Sequence, residues 1–156
     1  MGMKLSFFRN TSEKYTVHSD AALRYKAEKT GLGAIVYTSD GTVKYTWRTN
    51  LDRLCTSNEG EYLAAIWTLK KLLTFGIKRV QFYSDSKVMV DQMNGRANVN
   101  SQRLQPLFTE LCRLARQFKE INFTHVHREE NRLADALANM AADEAMQKVD
   151  VFGRHV

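Results

Sequence analysis

Alternation and helical spacing divide the chain into a strand-rich first third and a helix-rich remainder. From Tyr15, YTVHSDAAL combines β-branched and aromatic residues and stops at the polar run RYKAEKTG, which predicts a first strand and its turn. GLGAIVYTSDGTVKYTW follows, and its Asp40-Gly41 pair between two β-rich runs predicts an antiparallel hairpin. Thr56-Ser57-Asn58 then precedes EGEYLAAIWTLKKLL, where Tyr62, Ile66, Leu69 and Leu73 recur at offsets of four, three and four residues. That spacing is an amphipathic helix. Any of the three polar residues before it can cap the first turn, and Gly76 can end it as a C′ residue. RVQFYSD reads as a short strand closing on Asp85, and SKVMVDQMNG as a short helix stopped by Asn94-Gly95. Leu107, Leu111, Leu114 and Phe118 mark another helix, with Pro106 in its first turn. INFTHVH predicts a last strand, and RLADALANMAADEAM a final helix with Leu133, Leu137 and Met140 repeating along it. Three strands, helix, strand, two helices, strand, helix is the order of an α/β domain: a mixed five-stranded sheet flanked by helices, three strands antiparallel and two further ones parallel.

Composition narrows the picture. A length of 156 residues suits one domain, expected over 1–156 with its core at about 15–145 and a tail at 147–156 that either frays or packs on the sheet. Hydrophobic residues at 44% and charged residues at 26% exclude disorder and fibrous classes. Two cysteines, Cys55 and Cys112, without C-x-x-C spacing exclude a disulfide scaffold and a zinc ribbon. No stretch has the length of a signal core or a membrane span, so a cytoplasmic protein with no membrane contact is the expectation. The net charge of +6 suits an anionic polymer. Its excess is central, with ten basic against five acidic residues over positions 61–120.

The candidate chemistry lies in four acids. Asp20 falls inside the first strand, Glu61 near the start of a helix, Asp85 at the end of the fourth strand, and Asp135 in the last helix. A strand-borne carboxylate among Val17, Ala21 and Ala22 needs compensation, because burying a lone charge costs several kcal/mol. Hard oxygen ligands on separate rigid elements suit Mg²⁺ or Mn²⁺, two of which, about 4 Å apart, can flank a scissile phosphate. Plainer roles are open to each acid: Asp85 as a cap for the helix beginning at Ser86, Glu61 and Asp135 as solvated helix residues.

HSDAAL, TSNEGEYLAAI, YSDSKVMVDQMNG and HVHREENRLADALA, in this order and at these distances, resemble the type 1 ribonuclease H family across about residues 15–145. The resemblance implies the ribonuclease H-like fold and hydrolysis of the RNA strand of RNA/DNA hybrids, leaving 5′-phosphate and 3′-hydroxyl ends. It makes Asp20, Glu61, Asp85 and Asp135 the metal-coordinating catalytic acids, with Asp20 bridging two Mg²⁺ ions (Mn²⁺ as the substitute). Glu59 is the rival for Glu61; the acid directly before Tyr62 matches the family pattern, which leaves Glu59 solvated or a minor contact. Thr56, Ser57 and Asn58 stand where the family touches the hybrid, Ser57 in place of the more usual Asn. The wide minor groove of A-like duplexes exposes 2′-hydroxyls to such side chains. His127, with His125 as its neighbour, and Arg128 match the loop where family members place a mobile histidine or an arginine that assists.

The chain also departs from the family. The lysine-rich insertion of some bacterial members is missing, since only NGRANVNSQ separates the middle helices. Arg96, Arg103, Arg113, Arg116 and Lys119 are candidates to replace part of that grip, each phosphate contact adding salt dependence. Ala21 and Ala22 follow Asp20 where glycine is common. Trp47 and Trp67 read as packing residues. Three functions follow: a hybrid-specific endonuclease with no obligate protein partner, a catalytically silent nucleic-acid-binding module, and a nuclease of the same fold acting on other duplexes such as double-stranded RNA.

Overall fold

The structure, a computed structural model, describes residues 13–147. Strands β1 (Lys14–Arg24), β2 (Lys29–Tyr37) and β3 (Val43–Leu51) are followed by α1 (Ser57–Thr74), β4 (Arg79–Ser84), α2 (Lys87–Met93), α3 (Gln105–Ala115), β5 (Glu120–His125), a 3₁₀ turn (Arg128–Glu130) and α4 (Arg132–Met146). They form one sheet in the order β3-β2-β1-β4-β5. β1, β2 and β3 pair antiparallel, whereas β4 runs parallel to both β1 and β5. The expected mixed sheet is therefore the observed one. The assignments for positions 148–156 of the tail lie outside the described residues.

Local signals explain most boundaries. Gly41 turns the β2–β3 hairpin at φ +87°, and Gly76 and Gly95 follow the last turns of α1 and α2 at φ +75° and +74°. Thr56 caps α1: its Oγ1 accepts the amide of Glu59 at 3.1 Å, and the Glu59 carboxylate accepts the amide of Thr56 at 3.0 Å. Ser86, not Asp85, caps α2, accepting the Met89 amide. Asp85 is thus not held as a cap.

The main core lies between the sheet and α1, where Tyr15, Val17, Val36, Val80 and Phe82 meet Tyr62, Leu69 and Leu72, backed by Leu111 and Leu114 of α3. On the opposite face α4 packs through alanines. Ala134, Ala138, Ala141, Ala142 and Ala145 are buried, while Leu133 and Met140 are 55% and 47% exposed. Two members of the stripe seen in the sequence, Leu133 and Met140, thus lie off the packing face of this helix, whereas Leu137 is half-buried with its Cβ beside Gly33. The reason is steric. A Cβ on Gly31 would stand 2.0 Å from the Ala138 carbonyl oxygen, and one on Gly33 would stand 2.5 Å from the Ala138 amide nitrogen. Backbone rests on backbone, with no more than the Ala142 methyl and the Leu137 Cβ beside the contact.

Candidate active site

β1 and β4 lie side by side with His18 opposite Tyr83. Two residues further in this parallel register, Asp20 stands level with Asp85, the residue that follows the last of β4. Glu61 is brought to them by α1, whose Gly60 presses against Ala21; a Cβ there would stand 3.2 Å from the Ala21 methyl. One carboxylate oxygen from each of Asp20, Glu61 and Asp85 lies within 4.8 Å of the others. Asp135, from the first turn of α4, stands outside that triad but lines the same cavity of about 330 Å³, and it is within side-chain hydrogen-bonding reach of Asp20. All four acids singled out in the sequence therefore face one space, three of them at close quarters.

Electrostatics follow from this crowding. Burial, then the charge of Asp85, pushes the Asp20 carboxyl up to about 7, although a hydrogen bond with Glu61 opposes the rise. Burial, then the Asp20 charge, holds Glu61 well above the usual carboxylate range. Asp85 is raised by burial, against which a hydrogen bond from Asn131 and the Arg128 cation pull down. Glu61 is 8% exposed, and its Oε2 has no hydrogen-bond partner. A buried carboxylate oxygen without a donor, facing two further carboxylates, fits hard divalent cations.

The other predicted residues divide. Ser57, His127 and Arg128 line the acid cavity, joined by His125 at the end of β5. The two imidazoles meet edge-on, centroids 5.7 Å apart. Thr56 and Asn58 are exposed at the start of α1, on either side of Ser57. Glu59 is neither solvated nor turned to the acids: it closes the capping box and pairs with Arg103 at 3.1 Å. Arg113 and Arg96 also have carboxylate neighbours, Glu110 at 2.7 Å and Asp91 at 3.9 Å. Trp47 stacks on Tyr45 and Phe75 beneath Lys71, and Trp67 packs against the core, so both are packing residues as expected.

Asn131 was not singled out from the sequence, although it stands in the stretch that carries the resemblance. It is 1% exposed; its Nδ2 donates to the Ser19 carbonyl at 3.0 Å and its Oδ1 meets His18 Nδ1 at 3.0 Å. It thereby ties the start of α4 to the strand that carries Asp20. A polar residue four positions before Asp135 was legible; its burial was not.

A five-stranded sheet in this order, with carboxylates gathered where β1 and β4 end side by side, defines a ribonuclease H-like domain. The model of the family described as "Reverse transcriptase-like" matches residues 18–141. The bifunctional protein Rv2228c of Mycobacterium tuberculosis is 34% identical over 134 residues, which are 86% of this chain and 37% of that protein. The solved N-terminal ribonuclease H domain of Rv2228c superimposes with a TM-score of 0.80 at 35% identity, covering 89% of this chain and all of that one at 100%. Ribonuclease HI of Halobacterium salinarum is 30% identical over 126 residues, 81% of this chain and 63% of that protein. LC11-RNase H1, solved in complex with an RNA/DNA hybrid, gives a TM-score of 0.77 at 26% identity over 85% of this chain and 99% of that one. The chain belongs to the reverse transcriptase-like family of ribonuclease H domains. It spans little more than a third, 37%, of the length of the first curated relatives it matches. Among the described residues no helix is long and apolar enough to cross a membrane.

Proposed function

We propose that this chain is a metal-dependent ribonuclease H: an endonuclease that hydrolyses the RNA strand of RNA/DNA hybrids by a two-metal-ion mechanism and leaves 5′-phosphate and 3′-hydroxyl ends. The observation that carries the reading is the triad of Asp20, Glu61 and Asp85, with oxygens within 4.8 Å of one another and Glu61 Oε2 buried without a donor. The kinship to ribonuclease HI and to a hybrid-bound relative supports the choice of substrate.

In this reading Asp20, Glu61, Asp85 and Asp135 would hold two Mg²⁺ ions, with Mn²⁺ as a substitute, and Asp20, which meets the other three acids, would be the principal ligand. When bound, such ions make water nucleophilic near neutral pH and stabilise the charge that develops on the leaving oxygen. The protein's own part is to hold anionic oxygens together against their repulsion. The raised Asp20 and Glu61 carboxyls register burial first and that repulsion second, and a divalent cation offsets both. Thr56, Ser57 and Asn58 present hydroxyl and amide groups beside the cavity for the hybrid's minor groove and backbone. The Thr56 hydroxyl can serve as cap and contact together, because it accepts from the Glu59 amide and keeps its own proton to donate. Arg128 and His127 assist from the loop after β5, Arg128 by charge and His127 by carrying a proton. The enzyme acts in the cytoplasm without an obligate protein partner.

Labelled RNA/DNA hybrid, double-stranded RNA and double-stranded DNA incubated with Mg²⁺, Mn²⁺ or chelator test this. Metal-dependent cutting of the hybrid alone is the expected result. No cutting in any metal favours a silent binding module, and equal cutting of double-stranded RNA widens the substrate class.

A further inference from the structure

Of the four acids, Asp135 alone stands off the triad, and what holds it is a chain of side chains outside the cavity. Asn139, one turn further along α4, donates from Nδ2 to the Asp135 carbonyl at 2.8 Å and to its carboxylate Oδ1 at 3.2 Å. The same amide accepts, through its Oδ1, from the Arg24 guanidinium at 2.8 Å. Arg24 is fixed in turn by Asp143, to which both its Nε and an Nη donate, at 3.1 and 3.0 Å. Asp135, Asn139 and Asp143 follow at four-residue steps on one stripe of α4, and Arg24 reaches that stripe from the last residue of β1.

We infer that Asn139 is a positioning residue for Asp135, its amide locked by Arg24, so that one oxygen of that carboxylate is held outward and the other is left for a divalent cation. This rests on the proposed nuclease reading. The argument is one of donors and acceptors. Guanidinium only donates and a carboxylate only accepts, so an amide between them has one satisfactory orientation: oxygen to Arg24, nitrogen to Asp135. Turned over, it would set donor against donor and acceptor against acceptor. The lock also spans the two elements that must agree on the ion's position. Arg24 lies on the same strand as Asp20, and Ala22 between them packs on Ala138 and Ala142 beside Asn139. Groups that orient a ligand carboxylate from behind change metal affinity about tenfold when removed.

The test is calorimetric titration of Mn²⁺ into the full chain, with hybrid cleavage followed against Mg²⁺ concentration. Asn139→Leu, which keeps the size and removes the donor, is expected to weaken Mn²⁺ binding about tenfold. It should also raise the Mg²⁺ needed for half-maximal cleavage, while the rate at saturating Mg²⁺ returns to near wild type. Arg24→Met should weaken binding less, and the double variant should be no worse than Asn139→Leu, because the two act in series. Asn50→Ala removes a different tie to α4, the hydrogen bond to the Ala141 carbonyl at 3.2 Å, and should leave Mn²⁺ affinity unchanged. A merely structural role would make it behave like the others. Wild-type affinity in Asn139→Leu, losses that multiply in the double variant, or an equal loss in Asn50→Ala overturn the inference. If Asn139→Leu fails to fold, Arg24→Met decides alone, and wild-type affinity there overturns it. A wild-type protein that neither binds Mn²⁺ nor cuts hybrid overturns the nuclease reading and this inference with it; one that does both beside an unaffected Asn139→Leu overturns only the inference.

Discussion

Replacing Asp20 by asparagine should stabilise the metal-free protein at alkaline pH while ending cleavage. Asp20 is 4% exposed, and burial together with Asp85 raises its carboxyl from 3.8 to about 7. The folded state therefore binds more protons than the unfolded state between those values. Stability contributed by protonated Asp20 is whole below about pH 4 and is lost as pH rises through about 7. Roughly three pH units at ~1.4 kcal/mol each set a ceiling of ~4 kcal/mol. An asparagine amide in the same place keeps part of the burial cost and loses the hydrogen bond that Asp20 shares with Glu61, so about 2 kcal/mol is the expected gain for Asp20→Asn at pH 8. Urea unfolding in chelator measures it: the variant's midpoint should exceed wild type by about 1 M at pH 8 and match it at pH 4. Mg²⁺ should shrink the difference, because cations neutralise the cluster in wild type and stabilise the state that binds them. A variant no more stable than wild type at pH 8 would refute the claim that burial and neighbouring carboxylates make the charged form of Asp20 costly.

Two further expectations concern α4. Gly31→Ala drives a methyl into the Ala138 carbonyl, where neither backbone can yield, and should cost about 3 kcal/mol and lower the melting temperature by about 10 °C; an unchanged melting curve would show that the helix can lift. Leu133→Lys and Met140→Lys should each change stability by no more than about 0.5 kcal/mol in chemical unfolding, because both side chains are already largely in water; a loss of about 3 kcal/mol, as expected for emptying a core site, would restore them to the packing face.

Where a residue's type announced its setting, the sequence could be read directly. The Asp40-Gly41 turn, the Tyr62–Leu73 stripe and Pro106 in the first turn of α3 all reflect short-range constraints: positive φ, a 3.6-residue period, a missing amide proton. The three close acids were legible because motif and element ends coincided. The stripe on α4 marked a helix correctly but not its packing face: Leu and Met outrank alanine in hydrophobicity, while the deciding quantity there is distance. G-x-G inside β2 was the available sign of close backbone approach. Glu59 was misplaced although Thr56-x-x-Glu59 is itself the spacing of a capping box; only its pairing with Arg103, distant in sequence, was out of reach. Asn131 and Asn139 were hidden for a similar reason. An asparagine's role depends on which donors and acceptors flank its amide, and those flanking groups, His18, Ser19 and Arg24, come from β1.

The bare seat of α4 on Gly31 and Gly33 has a consequence for how this domain can change over generations. A helix resting on long side chains can be shimmed by swapping one for another; one resting on carbonyl and amide atoms has a fixed stop, because no smaller spacer than hydrogen exists. Exposed apolar residues of α4 such as Leu133 and Met140 can therefore drift almost at will, while the glycine pair and the alanines opposite it set the gauge at which Asp135 meets the sheet.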